Sequence, residues 1–553
     1  MVRLQPSGKL TVAISGLGTA QGLTYPSGVT QIFGIPYGRL PKRWTRGTLA
    51  TSWTNDFHDG TQLGPRPPIE SAIDESSIPF LPVPETFLAP APVDELNSLN
   101  LNIVLPPASA GPGPFPVLLW LHGGAFTIGG NHLPVYDGAN LASWAAERGT
   151  PTVFIHPNYR IGHGGFLASS DIKADLERDG HSGAGNFGFT DQMLALEWVQ
   201  TYITKFRGDK DNVTVIGESA GSIAIALHLV SAHRPVFHRA ICMSGQPSTA
   251  PAWTVSEQER RYTNLIKHFK IDPTQPGALD KLRAIPEADV ADALNIGEEQ
   301  AFRLSFPTLD NYLLSSPDRL SLDYSKTIPS TLSGLMLGHV RDEGSVFAGV
   351  GEHYTYTDYE TALQLFLSPS ETEQILALYD ISPTSEPKTL QAAFHRLAGD
   401  MLFNIPNIFA ARYSPLPRTY AYSFNEVSHL SHETKGLAYH GIDFLYLFLN
   451  LMESMSAEQI ELARSFSGKV LDFAHGIEPW TPVGQDKDGE GQWMAFGADG
   501  REGVVAEGDQ KASGETGGRL RELLLGDTGF AKRLQKAVRG LVYEFEVMER
   551  AFA

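Results

Sequence analysis

The sequence predicts an α/β protein built on one large, mostly parallel β-sheet flanked by helices. Three short apolar runs read as strands buried on both faces: "FPVLLWLHGG" (Phe115 to Gly124), "PTVFIHPNY" (Pro151 to Tyr159) and "NVTVIG" (Asn212 to Gly217). Longer helical patterns alternate with them, among them Gly188 to Phe206 and Ser222 to His233. No repeat with a period of about 20–50 residues is present, which excludes a solenoid or propeller. A chain of 553 residues is long for one domain. Patterned segments nevertheless continue on both sides of every irregular stretch, so residues 1–553 are expected to form a single domain.

Composition narrows the function. With 42% hydrophobic and 10% aromatic residues the chain can fill a large core. Its 62 acidic against 43 basic residues give a net charge of −19, which repels nucleic-acid phosphates and anionic membranes. A small-molecule partner is expected instead, neutral or cationic. The single cysteine, Cys242 in "RAICMSG", reads as a buried, reduced thiol. The opening "MVRLQPSGKLTVAISG" lacks the apolar centre of a secretory signal, and "FLYLFLNLM" (Phe444 to Met452) is too short to span a bilayer. A cytoplasmic location is the expectation. The sequon Asn212-Val213-Thr214 falls in a strand and reads as structural.

Two stretches lack strand or helix pattern. Residues 65–92 are proline-rich, and a structureless segment of that length inside a compact chain is either functional, such as a lid loop, or disordered. Residues 484–518 are dense in glycine and charge and read as a flexible surface loop, anchored in its middle by Trp493, Met494 and Phe496.

The chemistry centres on "VTVIGESAGSIAIALHLV" (Val213 to Val230), where a β-branched run stops at Gly217-Glu218-Ser219-Ala220-Gly221 and a helical pattern begins. G-x-S-x-G between a strand and a helix is a nucleophile elbow: the glycines let helix and strand pack closely, and the serine is lifted out at the sheet's C-terminal edge. Upstream, "WLHGGAFTIGG" (Trp120 to Gly130) directly follows a strand, and its glycines can aim successive N–H groups at one spot. Such a loop, with the amide of Ala220, would make an oxyanion hole. A base and an acid should follow the serine. "LGHVRDEGSVF" offers Glu343 and "GLAYHGIDFLYLF" offers His440, but among 17 histidines spacing alone does not single them out, and Asp342 and Asp443 are competing acids. His429 and His432 in "SHLSHE" lack further ligands at metal-site spacing.

Eight ordered motifs together resemble the type B carboxylesterase/lipase family, the cholinesterase-like α/β-hydrolases. They are "FGIPYG" (Phe33 to Gly38), "LNLNI" (Leu99 to Ile103), "HGGAF" (His122 to Phe126), "NYRIGHGGFL" (Asn158 to Leu167), "GNFGFTDQMLALEWV" (Gly185 to Val199), "GESAGS" (Gly217 to Ser222), "RDEGSVF" and "YHGIDFLYLF". The resemblance implies an α/β-hydrolase fold with a lid loop and helical insertions. It implies Ser219 as nucleophile, Glu343 as acid and His440 as base. It also implies Gly124, Ala125 and Ala220 as oxyanion donors, Gly123 shaping the loop, and Ser244 near the triad carboxylate. No cofactor or metal is implied. The activity implied is hydrolysis of small to medium, even bulky, esters. Acyl transfer with the same triad, or a non-catalytic binding role on the same fold, are the alternatives.

The sequence departs from the family at three places. The lid cysteine position reads Ser98, no tryptophan lies between Trp53 and Trp120, and Ala125 replaces the usual third glycine. Phe302, Phe306 and Leu309, with Phe80 and Phe87 of the lid, are pocket candidates, with core packing the competing role.

Overall fold

The computed structural model describes residues 5–73, 88–233, 236–273, 275–294, 304–430, 433–484, 492–497, 502–506, 520 and 522–543. Among them a 13-stranded sheet organises the chain. Its strands are β1 (Gly8–Ile14), β2 (Gly18–Thr24), β3 (Thr30–Pro36), β4 (Phe57–Asp59), β5 (Asn100–Leu105), β6 (Phe115–Leu121) and β7 (Val153–Pro157). They continue with β8 (Gly208–Glu218), β9 (Arg239–Met243), β10 (Gly334–Val340), β11 (Thr419–Phe424), β12 (Gln492–Phe496) and β13 (Glu502–Ala506). The spatial order is β1-β2-β3-β5-β7-β6-β8-β9-β10-β11-β12-β13, with β4 beside β2. Pairing is parallel from β7 through β12, and antiparallel among β1, β2, β3, β5 and β7 and at β12–β13.

The strands are continuously apolar because both faces are covered. Along β6, Val117, Leu119 and Leu121 enter one hydrophobic cluster while Leu118 and Trp120 enter the other. Helices α1 (Phe187–Tyr202), α2 (Ala220–Val230), α3 (Pro387–Gly399), α4 (Ile405–Tyr413) and α7 (Thr528–Tyr543) pack largely into the first cluster. Helices α5 (Ile442–Phe448) and α6 (Ala457–Ala474) pack into the second. Cys242 is fully buried in β9, and burial pushes its thiol up to about 12. Asn212 of the sequon accepts from the Arg239 guanidinium at 2.5 Å, a structural tie between adjacent strands.

Residues 484–518 are not the uninterrupted loop expected. β12 pairs in parallel with β11, and β13 folds back antiparallel on β12. Trp493 enters one core cluster while Met494 and Phe496 enter the other, so the three anchoring side chains alternate across the sheet. Burial on both faces of the sheet overrides the local glycine and charge content.

The ends of the expected lid are tied more firmly than proline stiffness alone would do. The Arg66 N–H donates to Pro92 O at 2.9 Å and the Asp94 N–H to Arg66 O at 3.1 Å, a backbone clasp across the loop's base. Ser71 donates through its backbone N–H and its hydroxyl to Asp292, at 2.6 and 3.0 Å. Ser98 is fully buried and its Oγ donates to Glu95 O at 2.8 Å. Residues 74–87, with Phe80 and Phe87, lie outside the described residues, as do Phe302 and His432.

Helix α2 presses on β6 so closely that only glycine fits at the contact. A Cβ at Gly221 would lie 2.0 Å from Leu121 O, and one at Gly217 would lie 2.6 Å from the same oxygen. Gly221→Ala is therefore expected to cost about 3 kcal/mol, the upper end for overpacking. It should be read as a lower urea midpoint; an unchanged midpoint would contradict the close approach.

Candidate active site

Ser219 joins β8 to α2 with φ 54° and ψ −121°, outside the regions a non-glycine residue prefers. The conformation is held from both sides: its N–H donates to Met243 O at 2.8 Å, and its carbonyl accepts from Ile223 N at 2.9 Å. Ala220 opens α2, so its N–H is one of those the helix itself leaves unpaired.

The loop after β6 runs against this turn. A Cβ at Gly123 would sit 2.7 Å from a Glu218 carboxyl oxygen and 3.1 Å from Ser219 Cβ, so only glycine allows the approach. Gly124 (φ 102°), Ala125 (φ 55°) and Phe126 (φ 57°) then take left-handed conformations in succession. For the two non-glycine residues this costs of order 1–3 kcal/mol each. Hydrogen bonds lock the loop: Thr127 N to Gly124 O (2.9 Å), Ser305 N to Ala125 O (3.1 Å) and Gly162 N to Phe126 O (2.7 Å). Ala125 thus occupies the third-glycine position with a left-handed backbone.

His440 lies on the short loop before α5. Its Nδ1 is 2.5 Å from Glu343 Oε2, and the other Glu343 oxygen accepts from Val340 N at 2.9 Å. Glu343 is 1% exposed, and these two partners, one on each oxygen, compensate its burial. The competing acids are engaged elsewhere. Asp342 accepts from Ala438 N at 2.7 Å and pairs with Arg341, which docks the histidine loop on the end of β10. Asp443 accepts from the Tyr422 hydroxyl at 2.8 Å and from Phe444 N at 3.0 Å.

A third carboxyl, which the sequence reading passed over, completes the environment. Glu218 Oε1 is 3.0 Å from His440 Nε2. Burial pushes Glu218 up to about 8, with His440 opposing and Asp443 and Glu343 reinforcing the rise. At His440, burial disfavours the imidazolium, but Glu218, Glu343 and Asp443 outweigh it and push the ring up to about 9. The available signal was an acid directly after the buried run Val213 to Gly217, since such a carboxyl needs a partner. Behind the ring, a π-helical turn between α3 and α4 (Asp400–Asn404) brings Phe403 to 4.7 Å from the imidazole. Single π turns inside helices recur at functional sites.

These groups surround one cavity of about 520 Å³, lined by Gly123, Gly124, Ala125, Glu218, Ser219, Ala220 and His440 together with mainly apolar side chains. Ala72 and Ile73 from the described part of the expected lid also line it. Ser244 lies next to the site on a left-handed backbone (φ 54°) and its N–H donates to Gly338 O at 2.8 Å. Its buried Oγ has no hydrogen-bond partner among the described residues, so no tie from this hydroxyl to Glu343 is formed. Of the pocket candidates, Phe306 stacks on Trp253 at 4.2 Å and is 1% exposed, and Leu309 packs against the core. Leu304 lines the cavity instead. Among the described residues no group of three or more His, Cys, Asp or Glu side chains could hold a metal ion, and His429 lies 3.7 Å from Glu426.

Comparison with known proteins gives the family and the fold. The model of the carboxylesterase family matches residues 9–519. The para-nitrobenzyl esterase of Bacillus subtilis (strain 168) is 28% identical over 533 residues, covering 93% of this chain and 98% of the relative. The inactive carboxylesterase-like protein VdtD of Byssochlamys spectabilis is 27% identical over 510 residues, covering 83% and 84%. Among solved structures, a PNB esterase superposes with a TM-score of 0.72 at 26% identity, covering 92% of this chain and 99% of its own. A thermophilic PNB esterase gives 0.71 at 25%, covering 93% and 99%. With its α/β-hydrolase sheet and an elbow serine among the residues that line the cavity, the chain belongs to the carboxylesterase family and is a serine carboxylesterase.

Proposed function

We propose that the protein hydrolyses uncharged carboxylic esters through an acyl-enzyme on Ser219, with His440 as base, Glu343 as its orienting acid, and the amides of Gly124, Ala125 and Ala220 as oxyanion donors. One family relative is named as inactive, so membership alone does not carry the reading. What carries it is one cavity that holds the strained elbow serine, the imidazole paired with Glu343 at 2.5 Å, and the left-handed 124–125 loop. The Asp443 and Asp342 alternatives lose support because their carboxyl oxygens already serve other donors. A reducing, cytoplasmic location is part of the same proposal and rests on the single cysteine of the sequence.

In this reading His440 Nε2 takes the Ser219 proton as Oγ bonds to the ester carbonyl carbon and the carbonyl electrons move onto oxygen. Three amides hold that oxyanion, each worth about 3–4 kcal/mol in the transition state. The imidazolium lies between Glu343 on Nδ1 and Glu218 near Nε2, so both carboxyls favour its charge. Collapse breaks the bond to the alcohol oxygen, which takes the proton from Nε2. Water then gives a proton to Nε2, attacks the acyl carbon and displaces Ser219 Oγ, which recovers the proton.

Ser219→Ala should lower p-nitrophenyl acetate turnover by about 10⁶-fold while circular dichroism and melting stay as in the wild type. Turnover by the folded variant at the wild-type rate would sink the mechanism.

The pH profile gives an independent check. A base pushed up to about 9 is mostly protonated at neutral pH, so kcat/KM should rise with pH well beyond the range of an ordinary histidine. Glu218→Gln removes one negative neighbour and should move that acidic limb down by about 1–3 pH units. A limb that stays in place, or moves up, would show that Glu218 does not act on His440.

A further inference from the structure

We propose that Tyr543, at the end of the described part of helix α7, limits the size of the acyl group the site accepts. This rests on the ester-hydrolase reading above. Once Ser219 Oγ has attacked, the carbonyl carbon carries three other substituents. The oxyanion is directed at the amides of Gly124, Ala125 and Ala220. The leaving oxygen must reach His440 Nε2, which puts the alcohol beside Glu218, Gly441, Phe444 and Tyr136; the last two rings are 5.1 Å apart. The acyl chain takes the third direction, toward the part of the wall that holds Thr249, Ala250, Leu304 and Tyr543; Ile223, Val346, Phe347 and Phe403 line other parts of the same cavity.

That wall is continuous with the reacting centre. A Cβ at Gly245, where the segment leading to Thr249 leaves β9, would lie 2.5 Å from Ser219 O. Next to Leu304, the Ser305 N–H is the donor that holds the Ala125 carbonyl. Thr249 and Ala250 are small and Leu304 is flexible. Tyr543 is the largest side chain of the four and the one least able to move aside. Its hydroxyl donates to Thr249 O at 3.0 Å, its ring lies 5.9 Å from Phe306, and it is 5% exposed. The helix that carries it is fastened around the same segment. Gln535 Nε2 donates to Ser248 Oγ (3.2 Å) and Met401 O (3.0 Å), Arg539 donates to Ser248 O, and the Tyr354 hydroxyl donates to Leu541 O at 2.6 Å. A long or branched acyl group therefore meets a phenol ring pinned at both ends. On this assignment the alcohol lies on the other side, beside Glu218, Gly441, Phe444 and Tyr136.

Two ester series test this on the full chain: p-nitrophenyl esters with acyl groups from acetyl to octanoyl and pivaloyl, and acetate esters of alcohols of matching sizes. In Tyr543→Ala the octanoate-to-acetate ratio of kcat/KM should rise about tenfold or more, while the ratios across the alcohol series stay within about twofold of wild type. Tyr543→Leu, which leaves a smaller gap in the core, should shift the acyl ratio in the same direction by less, and covers the case in which the alanine variant does not fold. Wild-type acyl ratios in a folded variant, or an equal shift in the alcohol series, would overturn the assignment of Tyr543. If the wild type hydrolyses neither series, the ester-hydrolase reading fails instead.

Discussion

The contact between Gly221 and the Leu121 carbonyl, where a Cβ would come within 2.0 Å, governs the geometry of the whole site. Helix α2 can begin directly on top of β6 only because both ends of the turn, Gly217 and Gly221, lack side chains. The one residue left to absorb the reversal is Ser219, at φ 54°. From that position its neighbours follow: Gly123 must also be glycine to pass Ser219 Cβ, and the loop beyond it turns left-handed at Gly124, Ala125 and Phe126. Around the serine the left-handed residues fall at Ser219, at Gly124 to Phe126 and at Ser244, and each of the three places is held by backbone hydrogen bonds.

The electrostatics of the site rest on the same compression. Three carboxyls, Glu218, Glu343 and Asp443, are buried around one imidazole. Burial pushes Asp443 up to about 7, with Tyr422 opposing the rise and Glu343 adding to it. Glu343 sits on Nδ1 and Glu218 near Nε2, so a positive charge on His440 is favoured from both edges of the ring. A site arranged in this way resists carrying several negative charges at once, which fits uncharged substrates better than anionic ones.

Local patterns made parts of this legible in the sequence. The β-branched run ending in Gly217-Glu218-Ser219 points to a strand, a turn and a helix, and all three stand at those residues. Glu343 and His440 were identifiable through the family resemblance, because 97 residues separate them and no local pattern ties one to the other. Glu218 was hidden inside the motif that drew attention to Ser219. The strand Gln492–Phe496 is hidden by the glycine and charge on either side of it, and only its Trp493, Met494 and Phe496 stand out as anchors. Tyr543 gave no signal at all: it reaches the cavity from more than 300 residues beyond Ser219, and only tertiary packing brings it there. The clasp between Arg66 and Pro92 was equally invisible, being made by backbone atoms that every residue carries.

The most direct test of the central claim is to locate the nucleophile chemically. An alkyl fluorophosphonate, which mimics the tetrahedral ester intermediate, should add once per chain, and peptide mass spectrometry should place the adduct on Ser219 within Val213 to Val230. Labelling should follow the alkaline rise of His440 deprotonation. A chain that stays unlabelled while folded, or carries the adduct on another residue, would contradict the account.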